Sequence, residues 1–128
     1  MADDKIFTAA EPIFDKRLSR IAQRLEWRVL SMLVVEDLVL DTSKYRATRA
    51  QRSLKLNPTN IDILALLMLR SPDIVSKEEI AQMLWGELGV NKSGGLGTRV
   101  HQIRKIVDDG FAFPLIHTVY GVGYQLCK

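Results

Sequence analysis

The sequence predicts an α+β domain, and three observations carry that expectation. Short alternating runs occupy residues 35–56. From there the apolar spacing becomes helical and holds, with interruptions, to residue 107. The C-terminal residues then return to two β-like runs around Gly121 and Gly123. A chain of 128 residues has room for one ordinary domain. Its 47% apolar and 26% charged content is that of a globular protein rather than a disordered one. The longest apolar stretches, "VLSMLVV" and "ILALLML", are far too short to span a membrane. The acidic start "MADDKIFTAA" lacks the basic-then-apolar order of a secretion signal. A lone Cys127 fits a reducing cytoplasm, the expected location.

Residues 13–30 place Phe14, Leu18, Ile21 and Leu25 at the spacing of one helix face. The runs "VEDLVLD", "KYRATR" and "SLKL" alternate between small polar breaks and read as three antiparallel strands. Asn57 then offers a helix N-cap, with Pro58 at the first helical position. Apolar residues cover nearly every side from Ile61 to Leu69, which predicts the buried central helix. "SPD" stops it, because the residue before a proline is pushed out of helical geometry.

A second helix starts at "SKEEIAQMLW", where Ser76 and Glu79 have the capping-box spacing and Ile80, Met83 and Leu84 form the inner face. "GELGVNKSGG" is a glycine-rich loop, and a third helix runs from Leu96 to about Val107. The predicted order is three strands, three helices and a terminal hairpin.

Net charge is only +3, but the cations are segregated. Lys44, Arg46, Arg49, Arg52 and Lys55 occupy one acid-free segment; Lys92, Arg99, Arg104 and Lys105 occupy another. Such segments suit either a polyanionic partner or a pair of solvated faces. The third helix separates these readings. Leu96, Val100, Ile103 and Val107 form its apolar stripe, while Thr98, His101, Gln102 and Lys105 face away, flanked by Arg99 and Arg104.

A solvated helix usually mixes signs to gain pairs between turns, and this one has no acid before Asp108. Gln can bond adenine through two hydrogen bonds, the Thr methyl can meet that of thymine, and Arg and Lys neutralise phosphates. With two helices before it and a hairpin after it, the segment reads as a recognition helix for duplex DNA. Gly94, Gly95 and Gly97 weaken its start, by about 1 kcal/mol for one inside the helix. The amides exposed there could hold a phosphate.

Two patterns mislead. "GELGVNKS" nearly spells an ATP-binding loop, but Asn91 replaces the second glycine and a helix precedes it where a strand is needed. His101 and His117 lack cysteine neighbours for a metal site and nucleophiles for catalysis, so each reads as a polar surface contact. Asp108 and Asp109 read as helix-end or loop acids rather than a catalytic pair. The expectation is a protein with no enzymatic activity and no cofactor or metal.

"LNPTNIDILALLM", "SPDIVSKEEIAQMLWG", "VHQIRKIV" and "PLIHTVYGVGYQL" together resemble the DNA-binding domain of OmpR/PhoB-type response regulators, from about Val35 to the C-terminus. The resemblance implies a winged helix-turn-helix with an N-terminal antiparallel sheet, a three-helix core and a C-terminal β-hairpin wing. It implies a bacterial two-component transcriptional regulator that binds double-stranded DNA sequence-specifically, as a homodimer on tandem half-sites. By position, Thr98 and Gln102 would touch bases, with Tyr120 at the wing tip near the minor groove. Arg99, His101, Arg104 and Lys105 would face phosphates, together with Trp85, Thr118 and Tyr124. The loop 86–94 corresponds to the segment that contacts RNA polymerase. Gly121 and Gly123 would shape the wing turn, where glycine adopts angles closed to other residues.

Some positions depart from the pattern: Tyr120 and Gln102 stand where arginine is frequent, and Gly97 where an acid is frequent. These bear on the DNA sequence preferred. "ADDKIF" and "EPIFDKRLSRIAQRL" resemble the last strand and helix of a receiver domain with its linker, although Glu11 replaces the usual lysine. Residues 1–30 are therefore expected to be a linker helix or receiver remnant, and 31–128 the winged-helix domain. On that reading the chain is a C-terminal piece of a longer regulator, or a regulator with a reduced receiver. Leu18, Ile21 and Leu25 would then form an apolar face available for dimerisation. A winged-helix protein-interaction module without DNA binding is the alternative.

Overall fold

The computed structural model describes residues 32–86 and 95–128. The expected helix over 13–30, the receiver remnant and nearly all of the loop 86–94 lie outside them. An antiparallel sheet comes first, in the order β1 (Met32–Val35), β2 (Leu38–Asp41), β3 (Arg46–Arg49) and β4 (Arg52–Leu54). It has four strands where the sequence predicts three, because β1 and β2 meet across only Glu36 and Asp37 within one continuous run. Alternation sets the faces. Leu38, Leu40 and Ala47 point into the core, whereas Val39, Asp41, Arg46 and Thr48 face outward.

The hairpin turns of this sheet are built without glycine. Glu36, Tyr45, Ala50 and Gln51 all take positive φ, between 50° and 66°. Ala50 and Gln51 form the two-residue connection from β3 to β4, a place where Asn-Gly is the common solution. After β2, the Asp41 carboxylate accepts from the Ser43 amide at 3.0 Å, the Ser43 hydroxyl at 2.7 Å and the Lys44 amide at 3.2 Å. These bonds, with the Ser43 hydroxyl foremost, hold its carboxyl below the ordinary value.

Helix α1 (Pro58–Arg70) begins as expected, with the Asn57 side chain accepting from the Asn60 amide at 2.8 Å. Every residue from Asn60 to Met68 is buried, so this is the central helix. Helix α2 (Lys77–Trp85) carries the full capping box: the Glu79 amide donates to Ser76 Oγ at 3.0 Å, and the Ser76 amide to Glu79 Oε1 at 3.2 Å. Burial pushes the Glu79 carboxyl up, but the Arg70 guanidinium at 2.7 Å and the Ser76 amide outweigh it, leaving a net lowering. Helix α3 (Leu96–Val107) buries Leu96, Val100, Ile103 and Val107, the stripe read from its spacing.

The terminal hairpin, β6 (Ile116–Val119) and β7 (Gly123–Leu126), gains a third strand that the sequence did not announce. β5 (Val75–Ser76) pairs with β7, giving the order β5-β7-β6. The two glycines of the hairpin turn out to do different jobs. Gly121 has φ +80° and makes the turn. At Gly123 a Cβ would lie 2.1 Å from the Val75 carbonyl oxygen, so glycine is required there for close strand approach rather than for its angles.

The N-terminal sheet and the C-terminal half are joined by Arg49, which is 0% exposed. Its Nε donates to Asp37 Oδ1 at 2.9 Å, its Nη1 to the Val107 carbonyl at 2.8 Å and Asp108 Oδ1 at 3.3 Å, and its Nη2 to the Phe113 carbonyl at 2.5 Å. The guanidinium also lies 4.8 Å and 5.0 Å from the ring centres of Phe111 and Phe113. Arg49 is therefore no part of a cationic surface, which corrects the reading of the 42–55 segment. Arg52 is likewise engaged, donating to the Gly110 carbonyl at 2.8 Å while covering the Phe111 ring.

Replacing Arg49 with Leu strands the buried Asp108 carboxylate opposite no cation. The expected loss in urea unfolding is about 3 kcal/mol. A loss under about 1 kcal/mol, the range of exposed pairs, would contradict the role given to Arg49.

Candidate nucleic-acid interface

The outward side of α3 is the surface the sequence singles out, and the packing leaves it open. With its apolar stripe buried to 2% exposure or less, the opposite side has nowhere to go but solvent. Thr98, His101, Gln102 and Lys105 are exposed, and Arg99 and Arg104 are half-buried at the flanks. Arg104 and Lys105 sit in the last turn, where positive charge complements the helix dipole.

The start of the helix is weak, as expected. Gly95 occupies the N-cap position and supplies no side-chain cap.

Asp108 closes the other end. It is the C-cap residue, 9% exposed, and its carboxylate accepts from the Leu115 amide at 2.9 Å and the Ile116 amide at 3.2 Å. One carboxylate thus ties the end of α3 to the first residues of the hairpin. Arg104, one turn earlier, repeats the connection: its Nη2 donates to Thr118 Oγ1 at 2.6 Å. The hairpin turn then projects beyond the body, with Tyr120 90% exposed and Val122 47% exposed.

The structure sorts the expected contact residues unequally. Thr98, Arg99, His101, Gln102 and Lys105 share one continuous face, with Arg104 on its border. Tyr120 stands at the tip of the projecting hairpin. Thr118 is half-buried and engaged with Arg104. Trp85 is half-buried at the end of α2, on a separate element. Tyr124 is the least exposed of the expected contact residues. It belongs to the core and is 6% exposed, paired with Val75 on one side and Thr118 on the other, so most of its side chain is out of reach of a ligand. His117 is not a free surface group either, since its Nε2 donates to the Cys127 carbonyl at 2.8 Å.

Arg49 and Asp108 are the site-supporting residues that the sequence reading missed. The available signal was weak: Arg49 lies two positions from Ala47, on the inward side of β3.

A sheet, a helix–turn–helix core and a terminal hairpin braced on the third helix define the winged-helix class. The family described as "Transcriptional regulatory protein, C terminal" matches residues 51–126, and the chain belongs to it. The transcriptional activator protein IrlR of Burkholderia pseudomallei is 31% identical over 110 residues, covering 86% of this chain and 48% of that protein. The chain thus spans about half the length of such relatives. Among solved structures, the C-terminal domain of the nisin resistance regulator NsrR is 32% identical with a TM-score of 0.61, covering 75% of this chain and 97% of that one. The Klebsiella pneumoniae RstA DNA-binding domain, in complex with the RstA box, shares the fold at 18% identity with a TM-score of 0.66, over 75% and 96% of the two chains. Among the described residues, no helix is long and apolar enough to cross a membrane.

Gly97 lies within α3, and a Cβ added there would meet nothing within 4 Å. Gly97→Ala should therefore raise stability by about 1 kcal/mol, the difference in helix propensity, read as a higher urea midpoint. No gain would mean that α3 is not continuous through this residue.

Proposed function

We propose that the domain binds double-stranded DNA sequence-specifically within a bacterial two-component transcriptional regulator, with α3 in the major groove and the wing at the adjacent minor groove. The observation that carries this reading is the acid-free outer face of α3, open to solvent beside a projecting hairpin. Thr98 and Gln102 lie where side chains reach base edges, and Tyr120 where the wing tip meets the minor groove. Arg99, His101, Arg104 and Lys105 flank them toward the phosphates, with Trp85, Thr118 and the accessible rim of Tyr124 as further backbone contacts. The DNA-bound state of the RstA domain supports this docking by analogy of fold.

No step of this function needs catalysis or a cofactor. Binding as a homodimer to tandem half-sites, contact of the 86–94 loop with RNA polymerase, a cytoplasmic location, and residues 1–30 as a linker or receiver remnant complete the proposal. A protein-interaction module is the competing reading, favoured by the uncharged wing tip, where Tyr120 and Val122 are exposed.

Selection from random duplexes should recover a preferred sequence. On that duplex, Lys105→Ala should lower the slope of log affinity against log salt by about one unit. Gln102→Ala should cut discrimination at one base pair by about tenfold while leaving affinity for unrelated duplexes nearly unchanged. Recovery of no sequence, with no salt-dependent affinity for any duplex, would favour the interaction module.

A further inference from the structure

The hairpin is fastened to α3 at two successive points, and both fastenings come from one side of the helix. Asp108 and Arg104 are four residues apart, hence one above the other on α3. Asp108 takes the amides of Leu115 and Ile116, and Arg104 donates to the hydroxyl of Thr118. Beyond Thr118 the ribbon is held by its own pairing, including the Val122 amide to the Val119 carbonyl at 2.9 Å, and on the far side by β5 and by the Lys77 amide, which donates to the Val122 carbonyl at 3.3 Å. Among the described residues, the last tie from α3 itself to the wing before the tip is therefore the 2.6 Å bond from Arg104.

Arg104 is an expensive choice for a mere surface cation. Its Nε is buried and makes no hydrogen bond among the described residues, a cost that a fully exposed arginine avoids. Its guanidinium is committed to Thr118, which pairs in register with the core residue Tyr124. A threonine in that position connects Arg104 to the central strand of the small sheet.

We infer that Arg104 is a positioning residue: through Thr118 it fixes the wing relative to α3, so that the two reach adjacent grooves in a preset register. This rests on the DNA-binding reading above, and it gives Arg104 a role distinct from neutralising a phosphate. With Arg104 acting as a charge alone, the loss on Thr118→Val would be the same whether or not Arg104 were present. With Arg104 as a strut, that loss would vanish once Arg104 was gone. Holding the wing before contact spares the ordering cost that a loose ribbon would incur on binding.

The test is a double-mutant cycle of Arg104→Met and Thr118→Val, with Thr118→Ser as the conservative variant, on the selected duplex. Amide exchange at Val122 is followed in the free protein alongside it. Thr118→Val should weaken binding about tenfold, in the range of one hydrogen bond to a charged group. Thr118→Ser should restore most of that loss. The double variant should bind no worse than Arg104→Met, and Val122 should exchange faster in both single variants. Losses that multiply independently, or a Thr118→Val protein matching the parent in both affinity and exchange, would overturn the strut. If the parent bound no duplex, the DNA reading would fall. The strut would then stand or fall on the Val122 exchange rates alone.

Discussion

The arrangement depends on a buried guanidinium. Arg49 leaves the inner face of β3, where Leu38 and Ala47 would suggest another apolar residue, and reaches the C-terminal end of α3. Fully desolvated, it is stable only because its donors meet Asp37, Asp108 and the carbonyls of Val107 and Phe113, while two phenyl rings lie against its plane. A buried charge of this kind is weak evidence for extra stability, but it is exacting about geometry. The carbonyls of Val107 and Phe113 must each meet a different terminal nitrogen of one planar group. That constraint sets the path of the chain between α3 and β6.

From this point the orientation of the wing follows. Asp108, held by Arg49, presents its carboxylate to the first amides of the hairpin, and Arg104 adds a bond two residues further on. Gly123 lets β7 lie against the Val75 carbonyl, which brings β5 into the same small sheet. Since β5 leads directly into α2, the wing is continuous with the helix–turn–helix on both sides. Helix α3 and the hairpin thus form one body, whose exposed side is polar or cationic along α3 and aromatic at Tyr120.

The three described helices were readable because each carries a local signal: the Asn57 cap and Pro58, the Ser76–Glu79 box, and the apolar stripe of α3. The face of α3 was readable for the same reason, since spacing alone assigns Thr98, Gln102 and Lys105 to the side opposite the stripe. What escaped were features decided by tertiary contact. β1 was merged with β2 because Glu36 turns the chain at positive φ without a glycine to mark the place. β5 spans two residues and exists only as a partner of β7. Arg49 looked like part of a cationic surface because a sequence shows charge but not burial. The depth of Tyr124 follows from its place on the central strand between Val75 and Thr118, which no local signal marks.

On the proposed docking, α3 and the wing meet a duplex together, as a unit held by Asp108 and Arg104. Dimethyl sulfate footprinting of the selected duplex tests it most directly, because guanine N7 reports the major groove and adenine N3 the minor groove. The account predicts guanine protection with adenine protection about half a helical turn away, roughly 5 base pairs. Protection confined to one groove, or minor-groove protection at no fixed distance from the guanines, would contradict it.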